Sequence, residues 1–530
     1  MTRPFFTLLL LTFLASSEVV ASTSDLPIDL LISRSFDDKA EAIEKLTQRG
    51  DALSEQLLIA ISESRLFYVK KTKRLVFAEK EGSKYRLQDA ISNEQLGVVG
   101  KRKVKKITIN NQLRRQIRAS LSRFRLQHDD PGVRRQAIES LIGKTDTDTL
   151  TLLNSLRETE PDAQVIKAID TVLSLADLTA TDPSLQLEAI ERLDGNLNPL
   201  VLVSLRELEV TTNAAAVRQA AAKAVRTIES RVTLFGYLET LFFGLSLGSI
   251  LALAAIGLAI TFGVMGVINM AHGELIMIGA YTTYVIQLLM PAHIGISILV
   301  AIPAAFLVSG LVGIAIERGV IRFLYGRPLE TLLATFGISL FLQQAVRSIF
   351  SPLNRPVASP DWMSGTLEIN SVLSITYNRL YIFLFCLLVF ALLYLIMSRS
   401  SLGLQVRAIS QNRSMARAMG VRSQWVDALT FGLGSGIAGV AGVALSQVTN
   451  VGPNLGQAYI VDSFMVVVFG GVGNLWGTLL SGLSLGVVGK FLEPATGAVL
   501  AKILVLIGII LFIQKRPRGL FPQKGRAAEQ

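Results

Sequence analysis

The stretch GVINMAHGELIMIGAY at residues 266–281 places Asn269, His272 and Glu274 among residues that are otherwise almost all apolar or small. An ionisable group taken out of water is costly unless something pairs with it. These side chains therefore either bond locally or line a passage for a polar solute. A second polar set, Asn450, Asn454, Gln457, Asp462 and Ser463, lies in and just before the apolar run AYIVDSFMVVVFGG. Charged residues at membrane depth face a cavity or pair with one another, so Asp462 is expected either to line a pathway or to pair in the interior. For Glu274 two readings stand together. It lines a pathway, or it sits in the first turn of a helix, where an acidic group is favoured and Asn269 or His272 caps the end.

Catalysis finds little to work with. His272 and Glu274 are two residues apart and share no helix face, and no HExxH pattern is present. The histidines (His128, His272, His293) and the single Cys386 make no zinc-type set, so no metal or other cofactor is expected. No G-x-S-x-G elbow occurs. SLGVVGKF at 484–491 lacks the first glycine of a phosphate loop and the Ser/Thr after its lysine, so ATP is not expected to bind this chain. The reading is of a transport protein, not an enzyme.

The elements that must hold these residues follow from hydropathy. Half of the 530 residues are hydrophobic and the mean hydropathy is +0.47, too apolar for a soluble enzyme of this size. The apolar content lies beyond about Arg231, in runs near the 20 residues that cross a bilayer core. Nine spans are expected, with eight possible: 238–263, 272–290, 294–316, 329–350, 379–398, 426–448, 458–472, 475–490 and 497–513. Loops 317–328 and 398–425 carry eight arginines against Glu317, and the basic tail at 516–530 extends the pattern. By the positive-inside rule these loops and the C-terminus are cytoplasmic. An odd number of spans then puts the N-terminal part outside. Independently, residues 1–21 have Arg3, an apolar run and small residues near Ala21, the layout of a signal peptide.

Residues 22–232 read as an exported, periplasmic, mainly helical domain. Five segments centred on Ala42, Ala137, Ala168, Ala189 and Ala221 each flank a small alanine with apolar residues three or four places away, which predicts an irregular HEAT-like array of helices. Asp130-Pro131 and Asp182-Pro183 are expected helix starts. Between the first two segments, residues 65–110 hold short β-branched and aromatic runs that predict a small β insertion. From Arg65 to Arg125 there are 18 Lys or Arg against four acids. This explains much of the net charge of +11 and suits a solvated face or anionic lipid headgroups better than nucleic acid.

Three stretches, GVINMAHGELIMIGAY, the loop at 401–432 and NVGPNLGQAYIVDSFMVVVFGGVGNLWGT at 450–478, together resemble permeases of branched-chain amino acid ABC importers, and within that family most closely the urea permeases. The resemblance covers residues 233–515. It implies an inner-membrane permease working with a second homologous permease, two cytoplasmic ATPase subunits and a periplasmic urea-binding protein. Asn269, His272, Glu274, Asn454, Gln457 and Asp462 are then pathway candidates. Arg407, Met415, Ala416, Arg417 and Gly420 resemble the loop that docks into the ATPases, although its leading glutamate is missing. A branched-chain amino acid permease is the alternative, and a passive small-solute channel is the reading from a different class.

Overall fold

The computed structural model describes residues 26–81, 84–143 and 147–522. The expected signal peptide and the end of the basic tail lie outside the described residues. Contacts divide the chain into two compact units at Val225/Arg226, slightly before the expected limit at 232.

The first unit opens with α1 (Ile28–Ile32), α2 (Phe36–Arg49) and α3 (Ala52–Ser62), followed by β1 (Leu66–Val69), β2 (Leu75–Glu81), β3 (Lys84–Asp89), β4 (Gln95–Gly100) and β5 (Val104–Lys106). The strands form the expected β insertion, one antiparallel sheet in the order β4-β3-β2-β1-β5. Leu66, Leu75 and Ile107 join α2 and α3 in one core, while Phe67, Val76, Leu87 and Val104 gather on the other side of the sheet. Helices then continue as α4 (Asn111–Leu126), α5 (Pro131–Glu139), α6 (Thr147–Thr159), α7 (Ala163–Asp177), α8 (Pro183–Leu193) and α9 (Pro199–Thr211). The five predicted alanines are all buried on helices. Asp130 and Asp182 cap α5 and α8 as their Asp-Pro pairs predict, accepting from Gly132 N at 2.7 Å and Ser184 N at 2.9 Å.

The next helix is α10 (Ala215–Met265). The second unit continues with α11 (His272–Leu289), α12 (Ile294–Gly319), α13 (Pro328–Phe350), a hairpin of β6 (Thr366–Glu368) and β7 (Ser374–Thr376), and α14 (Tyr377–Arg399). Two short helices, α15 (Ser401–Gln411) and α16 (Arg413–Ala418), precede α17 (Ser423–Ser446), α18 (Leu455–Gly470), α19 (Leu475–Thr496) and α20 (Ala498–Lys515). Every predicted span has its helix, but only seven of the described helices are long and apolar enough to cross a membrane, fewer than the eight or nine expected. The polar residues His272, Glu274 and Gln287 dilute α11, and α18 has 16 residues, about 24 Å of helix.

The centre of this unit is α17, packed against α11 and α12. Glycines permit the approach, because helices in lipid associate by close packing rather than by escape from water. At the start of α11, Gly273 lies on Gly456 of α18, where a Cβ would stand 2.6 Å from the Gly456 carbonyl oxygen. This contact fixes the turn that carries the polar residues.

Candidate functional site

The turn between α10 and α11 is held by one of its own side chains and by one from α13. Asn269 Oδ1 accepts from Ala271 N at 3.0 Å, and Met270 N donates to Thr335 Oγ1 at 3.1 Å. Asn269, His272 and Glu274 are all buried. As their spacing requires, the last two diverge. His272 Nε2 lies 2.8 Å from the Ala254 carbonyl of α10, whereas Glu274 points to α13. Glu274 lies in the first turn of α11, as one reading expects, and reaches sideways to α13; the N-cap residue is Ala271, which makes no side-chain cap bond, and Asn269 bonds the N–H of Ala271 itself.

Helix α13 has a face that sequence reading missed. Thr331, Thr335, Ser339 and Gln343, four apart, are all buried, while Leu329, Leu333, Phe336, Leu340 and Phe341 are exposed. A spacing of four places residues on one face of a helix. Glu274 Oε1 accepts from Ser339 Oγ at 3.0 Å and Gln343 Nε2 at 2.7 Å, while Oε2, only 1% of Glu274 being exposed, finds no partner among the described residues. One turn on, Arg347 Nη2 donates to Asn454 Oδ1 at 2.7 Å. The structure thus joins Glu274, Ser339, Gln343, Arg347 and Asn454 along one side of α13. The i, i+4 polar spacing was the available signal, hidden by reading α13 only for mean hydropathy.

The other candidates separate from this row. Gln457 is exposed at the start of α18. Asp462 faces α20, where Lys502 Nζ donates to its Oδ2 at 3.1 Å; the lysine is 65% exposed, so the pair lies at the surface of the unit rather than in its interior. Ser463 donates to the Tyr459 carbonyl within its own helix.

The arginine loop folds as α15 and α16. Ala416 is buried with Val406, Ile409 and Val426, while Met415 and Met419, four apart, are 60% and 78% exposed. Arg407 donates to the Met397 carbonyl, and Arg417 Nε donates to Ser423 Oγ at 2.8 Å. Arg413, not among the predicted residues, forms an ion pair with Asp427 of α17 and donates to the Tyr325 hydroxyl at 2.6 Å, with its guanidinium 3.9 Å from the centre of that ring. Burial pushes the Tyr325 hydroxyl above its ordinary pKa, and the Arg413 charge opposes that push. At Gly420 no atom of this chain would meet a Cβ, but its φ of +87° is in the left-handed region, so conformation favours glycine there.

The family described as "Branched-chain amino acid transport system / permease component" matches residues 240–514. The chain is 34% identical over 298 residues to a high-affinity branched-chain amino acid transport system permease protein, BraD, of Pseudomonas aeruginosa, covering 54% of this chain and 96% of the relative. It is 32% identical over 295 residues to the permease LivH of Salmonella typhimurium (54% and 95%), and 25% identical over 288 residues to a probable LivH of Methanocaldococcus jannaschii (51% and 88%). These relatives are transport permeases. No solved structure is significantly similar to the chain.

Proposed function

Because the chain belongs to the family of branched-chain amino acid transport permease components, we propose that it is the membrane subunit of an ATP-driven importer, its second unit forming a translocation pathway with a second, related permease. The observation that carries this reading is the buried polar face of α13 closing over Glu274 inside the segment matched by the family. A polar row inside an apolar bundle suits a path for a small polar solute better than it suits helix packing alone.

The partners follow from the same reading. Two cytoplasmic ATPase subunits dock at α15 and α16, where Met415 and Met419 offer a pliable apolar contact and Ala416 anchors the loop to α17. A binding protein delivers the solute on the opposite, periplasmic side, and the first unit, read as HEAT-like, faces that side. The charge of loops 317–328 and 398–425 supports this orientation.

For the solute, the relatives favour a branched-chain amino acid, and Arg347, bonded to Asn454, offers a cationic partner for its carboxylate. Urea is the second reading. It rests on the stretch 450–478, whose neutral amides Asn454 and Gln457 suit a solute that has both donors and an acceptor. Uptake of labelled leucine and labelled urea in cells lacking and then regaining this chain decides between them. Restored leucine uptake that excess urea leaves intact supports the first reading; restored urea uptake that resists leucine replaces it with the second.

A further inference from the structure

Resting on the importer reading, we infer that Glu274 and Arg347 form a matched solute subsite on α13, the carboxylate taking the N–H end and the guanidinium the oxygen end of one small solute. Three observations meet here. Glu274 is buried with Oε1 fixed by Ser339 and Gln343, yet Oε2 makes no hydrogen bond among the described residues. A buried carboxylate oxygen left without a donor costs more than a neutral bond gains, so this position suits an incoming N–H group. Gln343, which holds Glu274, and Arg347 are four residues apart, a rise of about 6 Å on one helix face, so the guanidinium stands one turn beyond the carboxylate. Arg347 is half-buried and uses Nη2 on Asn454, a neutral acceptor that orients the guanidinium without neutralising it. Its planar fork has further donors for a carboxylate or carbonyl oxygen.

The chemistry recognised is therefore N–H donors and an oxygen acceptor on neighbouring atoms of one compact molecule. An α-amino acid and urea share it. An amine without a carboxylate, or an acid without an amine, has only half.

The test is competition against ATP-dependent uptake in cells carrying the full chain and its partners, using leucine, isoamylamine, isovalerate and urea. In the parent, leucine or urea competes, and isoamylamine and isovalerate compete poorly; whichever of the first two competes identifies the source of the shared chemistry. In Arg347→Gln the apparent KM rises about tenfold, the loss expected for one charge-assisted hydrogen bond, and the preference for leucine or urea over isoamylamine collapses. In Glu274→Gln the preference over isovalerate collapses instead. A merely structural role lowers uptake without changing these preferences. Arg347 is half-exposed, so its variant carries the test even if Glu274→Gln fails to accumulate. Parental KM and preferences in Arg347→Gln overturn the inference alone. A parent that drives no ATP-dependent uptake of either solute overturns the importer reading, and the inference with it.

Discussion

Asn269, His272 and Glu274 were legible in the sequence as polar residues that an apolar turn had to accommodate, but not the different work of each. Asn269 bonds inside the turn, His272 reaches back to α10, and Glu274 alone crosses to α13. That difference depends on which helix packs on which face, and spacing alone specified only that His272 and Glu274 diverge. Asp462 shows the same limit, since Lys502 lies 40 residues away. Its pairing leads to a prediction. Asp462→Asn combined with Lys502→Gln keeps uptake within about twofold of the parent, because removing both partners leaves neither charge unpaired in the span. Strong loss of uptake in the double variant, at normal membrane level, would return Asp462 to the pathway. A second prediction concerns Gly273. Gly273→Leu forces a side chain into the Gly456 backbone, and overpacking of this kind costs about 1–3 kcal/mol. A lower unfolding temperature in detergent is expected, and an unchanged one contradicts the close approach.

Helices α10 to α20 were largely foreseen because long apolar runs announce themselves. The shortfall from nine expected spans to seven arose in α11, where His272, Glu274 and Gln287 lower the apolarity, and in α18, which has 16 residues. The α13 row was missed because an average over the helix cancels Thr331, Thr335, Ser339 and Gln343 against their leucine and phenylalanine neighbours. In the loop, α15 and α16 tie into α17 through Ala416 and through the Arg413–Asp427 pair, so a push on one is felt by the other. Gly420→Trp, which forces a side chain into the left-handed region, is expected to abolish ATP-coupled uptake while the protein still inserts at normal level. Parental uptake in that variant contradicts the docking role of the loop.

At the scale of the whole molecule, the two-unit division and the basic β insertion followed from composition, charge and hydropathy. The strands β1 to β4 pair in chain order, but the placing of β5 beside β1 and the cores on the two sides of the sheet did not follow, because Phe67 meets Lys106 only through a long-range pairing. Orientation offers a direct check with impermeant maleimides, since Cys386, the single cysteine, is buried. Lys101→Cys in the first unit is expected to label from outside intact cells, and Met419→Cys only after permeabilisation. Labelling of both from one side contradicts the proposed topology. The claim on which the rest depends is that transport through this chain is driven by ATP. The measurement that tests it is the initial rate of labelled leucine and urea uptake in cells expressing the chain, before and after ATP depletion. ATP-driven import requires that chain-dependent uptake of one of them stops when ATP is gone; uptake that continues at the same rate down its gradient would mean a passive channel.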